Sequence, residues 1–372
     1  MAEFLFNDVI KSQNGEFFLR TTSNQSSLEI ASSFFRNGTL LTASFKTGNR
    51  EWSAEQLREK TRQFHLQKKH EISILLELAE KLKDSVQPEA KLLLGQAFAN
   101  RNMFEEAIAE FEEAVALDPN GCQFFKELGK AYLAVERFDD AVAAFSQAIT
   151  IAPEYADFHN YLGSAYLSRQ QCRKAVEEFE IAVRLNPYYA EAYYNLALAY
   201  VLNGITKEEF ALSVESQLKV EGCLEKAGRI DPKFKSSAVE EGLENFRLKN
   251  FEAAYQVLRS ALEETPKTLD TSFILDFYLR VIYGGKKLKG TIIQQHIRRL
   301  RGLIVKFPNF ADLYNHLGVA YLILSKQINR RAIQQFSKAA AVNPEFQRAQ
   351  KNRKLASYDQ KGIDLLFEAI LR

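Results

Sequence analysis

The chain has 372 residues, of which 46% are apolar, and it carries 49 Lys and Arg against 47 Asp and Glu. This composition is typical of folded proteins and excludes a low-complexity chain. The charge is divided unevenly: residues 1–279 hold 31 basic and 42 acidic side chains, a net charge of −11, whereas residues 280–372 hold 18 and 5, a net charge of +13. We therefore expect an anionic partner for the basic end, or an attraction between the two ends within one chain or between copies.

The sequence predicts a cytoplasmic protein. It begins MAEFLFNDVIKSQ, which lacks the basic and apolar segments of a signal peptide. No apolar run approaches the roughly 18 residues that span a membrane. The three cysteines, Cys122, Cys172 and Cys223, are far apart and odd in number, so free thiols in a reducing compartment are expected.

Residues 1–52 are predicted to form a small antiparallel β region. The runs GEFFLRTT, SLEIASSFF and TLLTASFK have the composition of strands, and Asn37-Gly38 between the last two is a strong hairpin signal. About three strands are expected. So small a sheet buries little surface by itself, so another element must cover one of its faces.

Residues 53–87 are predicted to form one long bridging helix that supplies this cover. Ser53 and Gln56 have the spacing of a capping box, and apolar residues follow at helical intervals. The helix would also cover the exposed end of the structure that follows. A role of the N-terminal region as a separate docking or dimerising module remains an alternative.

A 34-residue repeat dominates the next part of the chain. FEEAIAEFEEAVALDPN at 104–120 returns as FDDAVAAFSQAITIAPE at 138–154 and as CRKAVEEFEIAVRLNPY at 172–188. Seven positions recur without a gap through three units, and such self-similarity indicates a repeat fold. In the first unit they are Leu94, Gly95, Phe98, Ala107, Phe111, Ala114 and Pro119.

Each recurrence has a mechanical reason. The apolar positions fall into two blocks of helical spacing, so each unit is a helical hairpin. Glycine and alanine allow two helices to cross closely, and proline ends the second helix. One hairpin cannot bury its apolar face alone, so successive hairpins must stack.

This pattern resembles the tetratricopeptide repeat (TPR) family, and the layout of a short β region, a long helix and then repeats is similar to bacterial TPR proteins. The resemblance implies a mostly α fold: a right-handed α-solenoid of about six to seven helical hairpins with a small N-terminal α+β cap. It further implies a non-enzymatic scaffold or adaptor that binds a peptide or protein partner in a concave groove.

We predict that the repeats span 88–345 and that capping helices follow over 346–372. The fourth unit is lengthened: Tyr200 and Pro232 are eleven residues further apart than the matching pair of the second unit, which adds about three helical turns. The sixth unit is degenerate, and the seventh is two residues longer than the standard repeat. The predicted units are 88–121, 122–155, 156–189, 190–234, 235–267, 268–309 and 311–345.

Catalytic, cofactor and metal motifs are not found. His65 and His70 are five residues apart on a predicted helix and do not share a face, so they are a poor metal pair. His159 and His316 stand near aromatic positions of their repeats, where packing is expected. The stretch 284–287, GGKK, lacks the spacing of a phosphate-binding loop. The sequence therefore predicts no enzyme, no cofactor and no metal.

In the TPR family, chosen positions of the first helix of each hairpin line the groove. The terminal-carboxylate clamp of chaperone-binding TPRs is not expected, because only one of its five positions matches in type and Glu191 reverses a charge. Extended peptides and short helices are both suitable ligands for such a groove. The groove residues that the resemblance implies are Gln123, Lys126, Lys130, Asn160, Ser164, Tyr194, Asn195 and Leu198.

A second candidate surface lies in the basic third of the chain, over 286–354. Such a patch would bind nucleic acid, a lipid surface or an acidic protein, although few aromatic residues are present for base stacking. A third alternative is a structural subunit that forms a homo-oligomer or larger assembly through the ends of the solenoid. The predicted basic patch comprises Lys286, Lys287, Lys289, Arg298, Arg299, Arg301, Arg330 and Arg331.

Overall fold

The computed structural model of the protein describes residues 3–12, 15–24, 29–48, 52–264, 272–284, 290–308, 310–343 and 347–371. The chain divides into two compact units, residues 1–272 and residues 273–372. The fold is mostly helical, with stacked helix pairs and an N-terminal antiparallel sheet, which confirms the predicted fold class.

The N-terminal sheet has four strands in the order β1-β2-β3-β4, one more than predicted. Asn37 and Gly38 join the last two with positive φ angles of 49° and 82°, as the hairpin signal predicts. Strand β1 escaped prediction because Asn7 and Asp8 are poor strand formers at its centre. The strands are Glu3–Ser12 (β1), Gly15–Asn24 (β2), Glu29–Arg36 (β3) and Thr39–Thr47 (β4).

One long helix, α1 (Ala54–Leu82), covers one face of this sheet. It begins with the predicted capping box: the Gln56 N–H donates to Ser53 Oγ at 3.2 Å, and the Ser53 N–H donates to Gln56 Oε1 at 2.9 Å. Leu57 of α1 packs on Ile30 of the sheet. His65 hydrogen-bonds with Asp8 on β1 at 2.9 Å, so the covered face is partly polar.

The sheet is also attached to the first repeat. The Arg36 guanidinium at the end of β3 lies 2.8 Å from the Glu105 carboxylate and 2.9 Å from the Glu106 carboxylate. Asn102 Nδ2 donates to the Leu41 carbonyl of β4. The β region and the first helix pair therefore form one packed body.

Three helix pairs of the same design follow. In each, a Cβ added to the repeat-position glycine of the first helix would come within 2.5–2.7 Å of a phenylalanine ring on the second, so the two helices cross closely there, as the repeat pattern predicts. The three glycine–phenylalanine pairs are Gly95–Phe111, Gly129–Phe145 and Gly163–Phe179. The helices are Pro88–Ala99 (α2), Phe104–Leu117 (α3), Cys122–Ala134 (α4), Phe138–Ile151 (α5), Ala156–Ser168 (α6) and Cys172–Leu185 (α7).

The helices of the fourth pair are longer than those of the third. Helices α8 (Ala190–Thr206) and α9 (Phe210–Ile230) have 17 and 21 residues, against 13 and 14 in the third pair. A short 3-10 turn leads to α10 (Ser237–Arg247) and α11 (Phe251–Glu264). Helix α11 packs on α8, and this contact bears on the binding surface described below.

The second unit contains α12 (Ser272–Ile282), α13 (Gly290–Lys306), α14 (Ala311–Val342) and α15 (Gln347–Leu371). Helix α14 packs on α13 and α15. Two predictions differ from the structure here: Ala311–Val342 forms one 32-residue helix instead of a hairpin, and the described residues after it form one helix, Gln347–Leu371, instead of several.

The physical reason for the continuous helix is the two-residue insertion. Gly318 and Ala332 are 14 residues apart, whereas Gly129 and Ala141 are 12 apart. Fourteen residues are close to four turns of 3.6 residues, so the apolar positions stay on one face of an unbroken helix. Leu, Lys, Gln and Arg between them favour that continuation.

Candidate functional site

The first helices of the repeats, α2, α4, α6 and α8, lie side by side, and α3, α5 and α7 pack behind them. Side chains of α4 reach across to α6: Lys126 Nζ lies 3.7 Å from Asp157 Oδ2, and Lys130 Nζ lies 5.8 Å from the centre of the Tyr161 ring. The accessible side of these helices is called the groove face below. On α4 and α6 its residues are Gln123, Lys126, Lys130, Asp157, Tyr161 and Ser164.

The two groove-face lysines carry their charge next to carboxylates. Lys130 Nζ lies 2.9 Å from Glu127 Oε2, and Lys126 lies close to both Glu127 and Asp157. Burial by itself would lower the pKa of Lys130. The nearby Glu127 carboxylate and Tyr161 hydroxyl outweigh this effect and raise the pKa of Lys130. The groove face therefore offers the side-chain amines of Lys126 and Lys130, each beside a carboxylate.

Asn160 and Asn195, which the resemblance placed in the groove, are buried. Asn195 Nδ2 donates to Asn160 Oδ1 at 3.0 Å, and Asn160 Nδ2 donates to Tyr189 Oη at 3.1 Å. Ser164 stays partly exposed, and its hydroxyl donates to the Asn160 carbonyl at 2.9 Å. The prediction is corrected: the two amides join α6 to α8 and are not open to a ligand.

Tyr194 and Leu198 were also predicted to line the groove, and this prediction is wrong. Tyr194 is 0% exposed, its hydroxyl donates to the Leu258 carbonyl of α11 at 2.8 Å, and its ring stacks on Phe234. Leu198 is 2% exposed in the same core. Helix α11 covers α8, so residues 192–203 are all buried.

The sequence did carry a signal for this cover. AEAYYNLALAYVLNG is apolar around nearly the whole helix, and such a helix is buried on all sides. The groove face therefore consists of α2, α4 and α6, and α8 closes its end.

A buried charge cluster in the first pair was not predicted. Lys91 on α2 is 1% exposed and lies 3.2 Å from the Glu110 carboxylate and 2.5 Å from the Glu113 carboxylate of α3. A pocket of about 710 Å³ between α1, α2 and α3 borders this cluster. Burial raises the pKa of Glu110. One feature of the sequence pointed to this cluster: Lys91 occupies the repeat position that is Phe125 in the second unit.

His159, for which packing was predicted, is buried and hydrogen-bonded through both ring nitrogens. Its Nδ1 lies 2.7 Å from Glu178 Oε2, and its Nε2 lies 3.1 Å from the Pro153 carbonyl. Burial opposes protonation, yet the hydrogen bond with Glu178 outweighs it and raises the pKa of His159. This histidine ties together neighbouring segments of the repeat.

In the second unit, Arg298, Arg299 and Arg301 are exposed on α13, opposite its buried residues. The guanidinium of Arg299 lies 3.9 Å from the centre of the Phe273 ring, and that of Arg301 lies 5.7 Å from Tyr321. Arg330 and Arg331 are exposed on α14, where Arg330 lies 3.8 Å from Asp364. The remaining members of the predicted patch, Lys286, Lys287 and Lys289, lie outside the described residues.

The described residues contain neither a metal-binding cluster nor a membrane-spanning helix. Among the described residues, no group of three or more His, Cys, Asp or Glu side chains is arranged to hold a metal ion. Within the same part of the chain, no helix combines the length and the apolar character needed to cross a membrane.

Models of known protein families match part of the repeat segment. A TPR repeat model matches residues 129–170 and 163–204, and a tetratricopeptide repeat model matches 88–120. No curated protein matches the chain.

Several solved structures are similar in fold. MamA 41-end from Desulfovibrio magneticus is 24% identical, with a TM-score of 0.37, and the match covers 47% of this chain and 94% of that one. YrrB, titled a TPR protein with an unusual peptide-binding site, is 18% identical, with a TM-score of 0.36 and coverage of 55% and 97%. PilF of Pseudomonas aeruginosa is 16% identical, with a TM-score of 0.37 and coverage of 62% and 96%.

The family models thus match the segment in which a glycine of one helix packs against a phenylalanine of the next. These glycine–phenylalanine pairs recur every 34 residues. The stacked pairs there have the arrangement that the family pattern requires. Residues 88–120 and 129–204 thus match TPR-repeat models, and a four-stranded antiparallel sheet precedes them at the N-terminal end of the chain.

Proposed function

We propose that this protein is a non-enzymatic scaffold that binds an extended segment of a partner protein on the groove face of α2, α4 and α6. The observation that carries the proposal is the accessibility of Gln123, Lys126 and Lys130, in contrast to the burial of Tyr194 and Leu198 one repeat later. Repeat scaffolds present such side chains on a rigid frame, and rigidity lowers the entropic cost of binding.

The chemistry of the groove face favours a peptide with acidic side chains. Lys126 and Lys130 can donate to carboxylates, and the Nζ of each lies over an aromatic ring of α6, at 6.0 Å from Phe158 and 5.8 Å from Tyr161. Asp157 can accept from backbone amides of the same peptide. A bound segment would therefore be held by charge-assisted hydrogen bonds and by contact with the Tyr161 ring.

The absence of an enzymatic role is supported by the state of the reactive side chains. Burial raises the pKa of the Cys172 thiol to about 11 and that of Cys223 to about 11, so both are protonated and inert at neutral pH. His159 is buried against Glu178 and has a packing role.

We expect the double substitution Lys126→Glu and Lys130→Glu to reduce peptide binding at least tenfold, because it replaces both groove-face ammonium groups with repelling carboxylates. The measurement is selection of a random peptide library against the wild-type protein, followed by titration of the enriched peptides. The matched control is Arg184→Glu, an exposed charge reversal on α7. Enriched peptides that bind the double variant as tightly as the wild type would refute the groove assignment.

A second candidate function rests on the basic second unit. Among the described residues, Arg298 and Arg331 have no carboxylate within ion-pair distance, so their charge is available to an external anion. We propose that this surface binds a polyanion such as nucleic acid.

The expected result for this candidate is an affinity for a DNA duplex that falls steeply with salt, because each neutralised phosphate releases counterions. Substitution of Arg298 and Arg301 by glutamate should remove about two units from the slope of log affinity against log salt. Fluorescence anisotropy at several salt concentrations measures both effects, with Arg184→Glu as the control. A slope near zero in the wild type would exclude nucleic acid as the partner.

A further inference from the structure

The two faces of the N-terminal sheet differ sharply in burial. On the face against α1, Phe17, Leu19, Ile30 and Phe34 are at most 2% exposed. The other face, called here the outer sheet face, is open. Contiguous exposed apolar surface of this kind marks interaction sites in soluble proteins. Its exposed apolar residues are Leu5, Val9, Phe18, Leu40 and Phe45, at 38–64% exposure.

The strand register arranges the outer sheet face in rows that run across the strands. The first row is Val9, Phe18, Phe35 and Leu40, and the third is Leu5, Thr22, Ala31 and Phe45. The second row, between them, is Asn7, Arg20, Ser33 and Ala43.

Charged residues other than Arg20 stand at the ends of this face. Glu3 and Glu29 lie at one end, and at the other end Lys11 pairs with Glu16 at 3.1 Å. The outer sheet face therefore has two largely apolar rows on either side of a central row with one charge, and polar ends of the kind that rim protein interfaces.

We propose that two copies of this chain form a dimer through their outer sheet faces, related by a two-fold axis parallel to the strands. This axis places β1 over β4 of the second copy and β2 over β3. It sets Val9 opposite Leu40 and Phe18 opposite Phe35, while Arg20 meets the small Ser33. Each copy contributes the same patch, as an isologous interface requires.

The alternative axis, across the strands, is disfavoured by charge. It would keep the strand order, so β2 would lie over β2 of the second copy and Arg20 would face Arg20. Like charges opposed in an interface are repulsive. The position of Arg20 in the central row therefore selects the axis parallel to the strands.

The area of the outer sheet face is close to the area that a small dimer interface needs. Four strands about 4.8 Å apart give a width of about 19 Å, and nine residues at about 3.4 Å each give a length of about 30 Å. The dimer would bury about 1,150 Å² in total, close to the lower limit of about 1,200 Å² for stable interfaces. We therefore expect a dimer that dissociates on dilution.

Sedimentation analysis of the full chain over a range of concentrations tests the proposal. The wild type should shift from 42.5 kDa to twice that mass as its concentration rises. Val9→Arg should weaken dimerisation at least tenfold, because it buries a charge against Leu40. The matched control is Leu66→Arg on α1, since Leu66 and Val9 are equally exposed, at 50% and 52%. A monomeric wild type, or equal effects of the two variants, would overturn the proposal.

Cross-linking tests the axis. Chains with Val9→Cys and chains with Leu40→Cys are mixed, in a background where the partly exposed Cys122 is serine, and treated with a short bismaleimide. The proposed dimer predicts a cross-link in the mixture that exceeds the cross-link in either variant alone, because Val9 and Leu40 lie on opposite edge strands. The other axis sets Val9 opposite Leu5, so a stronger cross-link between Val9→Cys and Leu5→Cys chains would refute the arrangement.

Discussion

Replacement of Phe145 by alanine is expected to lower the free energy of unfolding by about 3–5 kcal/mol, the range measured for large aromatic truncations in protein cores. The Phe145 side chain is 0% exposed. Its ring fills the space that Gly129 leaves on α4, and it stacks on Tyr161 of α6 at a centroid distance of 5.5 Å. Its removal would open a cavity where α4, α5 and α6 meet.

Denaturant unfolding followed by circular dichroism measures this loss, and amide exchange in α4, α5 and α6 locates it. Because repeat proteins open locally, the exchange data should show the largest change in these three helices. Phe210→Ala is the control, since Phe210 is 83% exposed and its truncation should change stability by less than about 0.5 kcal/mol.

The close packing of Gly129 on α4 against Phe145 on α5 can be tested with a double-mutant cycle. A Cβ at Gly129 would come within 2.6 Å of the Phe145 ring, so Gly129→Ala alone should be destabilising. In the background of Phe145→Ala the added methyl group meets no ring. The double variant should therefore lose less stability than the sum of the two single effects. Additive effects would show that the two residues do not compete for the same space.

Replacement of Lys91 by methionine is expected to cost about 3 kcal/mol, the lower end of the range for breaking a buried ion pair. The loss arises because the Glu110 carboxylate, 16% exposed, would remain without its cation. The lower end applies because Glu113, the second partner of Lys91, is half exposed and can turn to solvent. Arg229→Met, which breaks an exposed pair with Glu225, is the control and should have little effect.

The cost of Lys91→Met should depend on pH. Burial raises the pKa of Glu110 even beside Lys91, and loss of the cation would raise this pKa further. A carboxyl whose pKa is higher in the folded than in the unfolded state stabilises the fold below the unfolded pKa, and the benefit is lost as pH rises through the folded pKa. The deficit of Lys91→Met should therefore shrink on acidification. A deficit that is constant with pH, or one that Glu110→Gln fails to relieve, would contradict this account.

The repeat core could be predicted from sequence because its determinants are local and periodic. Gly129 and Phe145 belong to sets spaced 34 residues apart, and the crossing that each set makes requires a small residue against a large ring. The start of α1 was predictable for the same reason, since Ser53 and Gln56 are close in the chain and bond to each other's backbone.

The failures involve contacts between segments that are distant in sequence. Tyr194 occupies a groove position of its own repeat, but its environment is decided by Leu258 on α11, which lies 64 residues later. Strand β1 depends on Asp8, whose polar side chain is matched by His65 on a helix that follows the whole sheet. Local patterns do not contain this information.

The cover that α11 places on α8 limits what the groove face can hold. Packed helices are about 9 Å apart, so α2, α4 and α6 provide a track of about 27 Å. An extended peptide advances about 3.3 Å per residue, so about eight residues fill this track. A longer segment must leave the surface at α8, and each residue beyond the eighth adds no contact. Under the proposed function, the groove face would therefore recognise a short motif of defined length and not an indefinite stretch of chain.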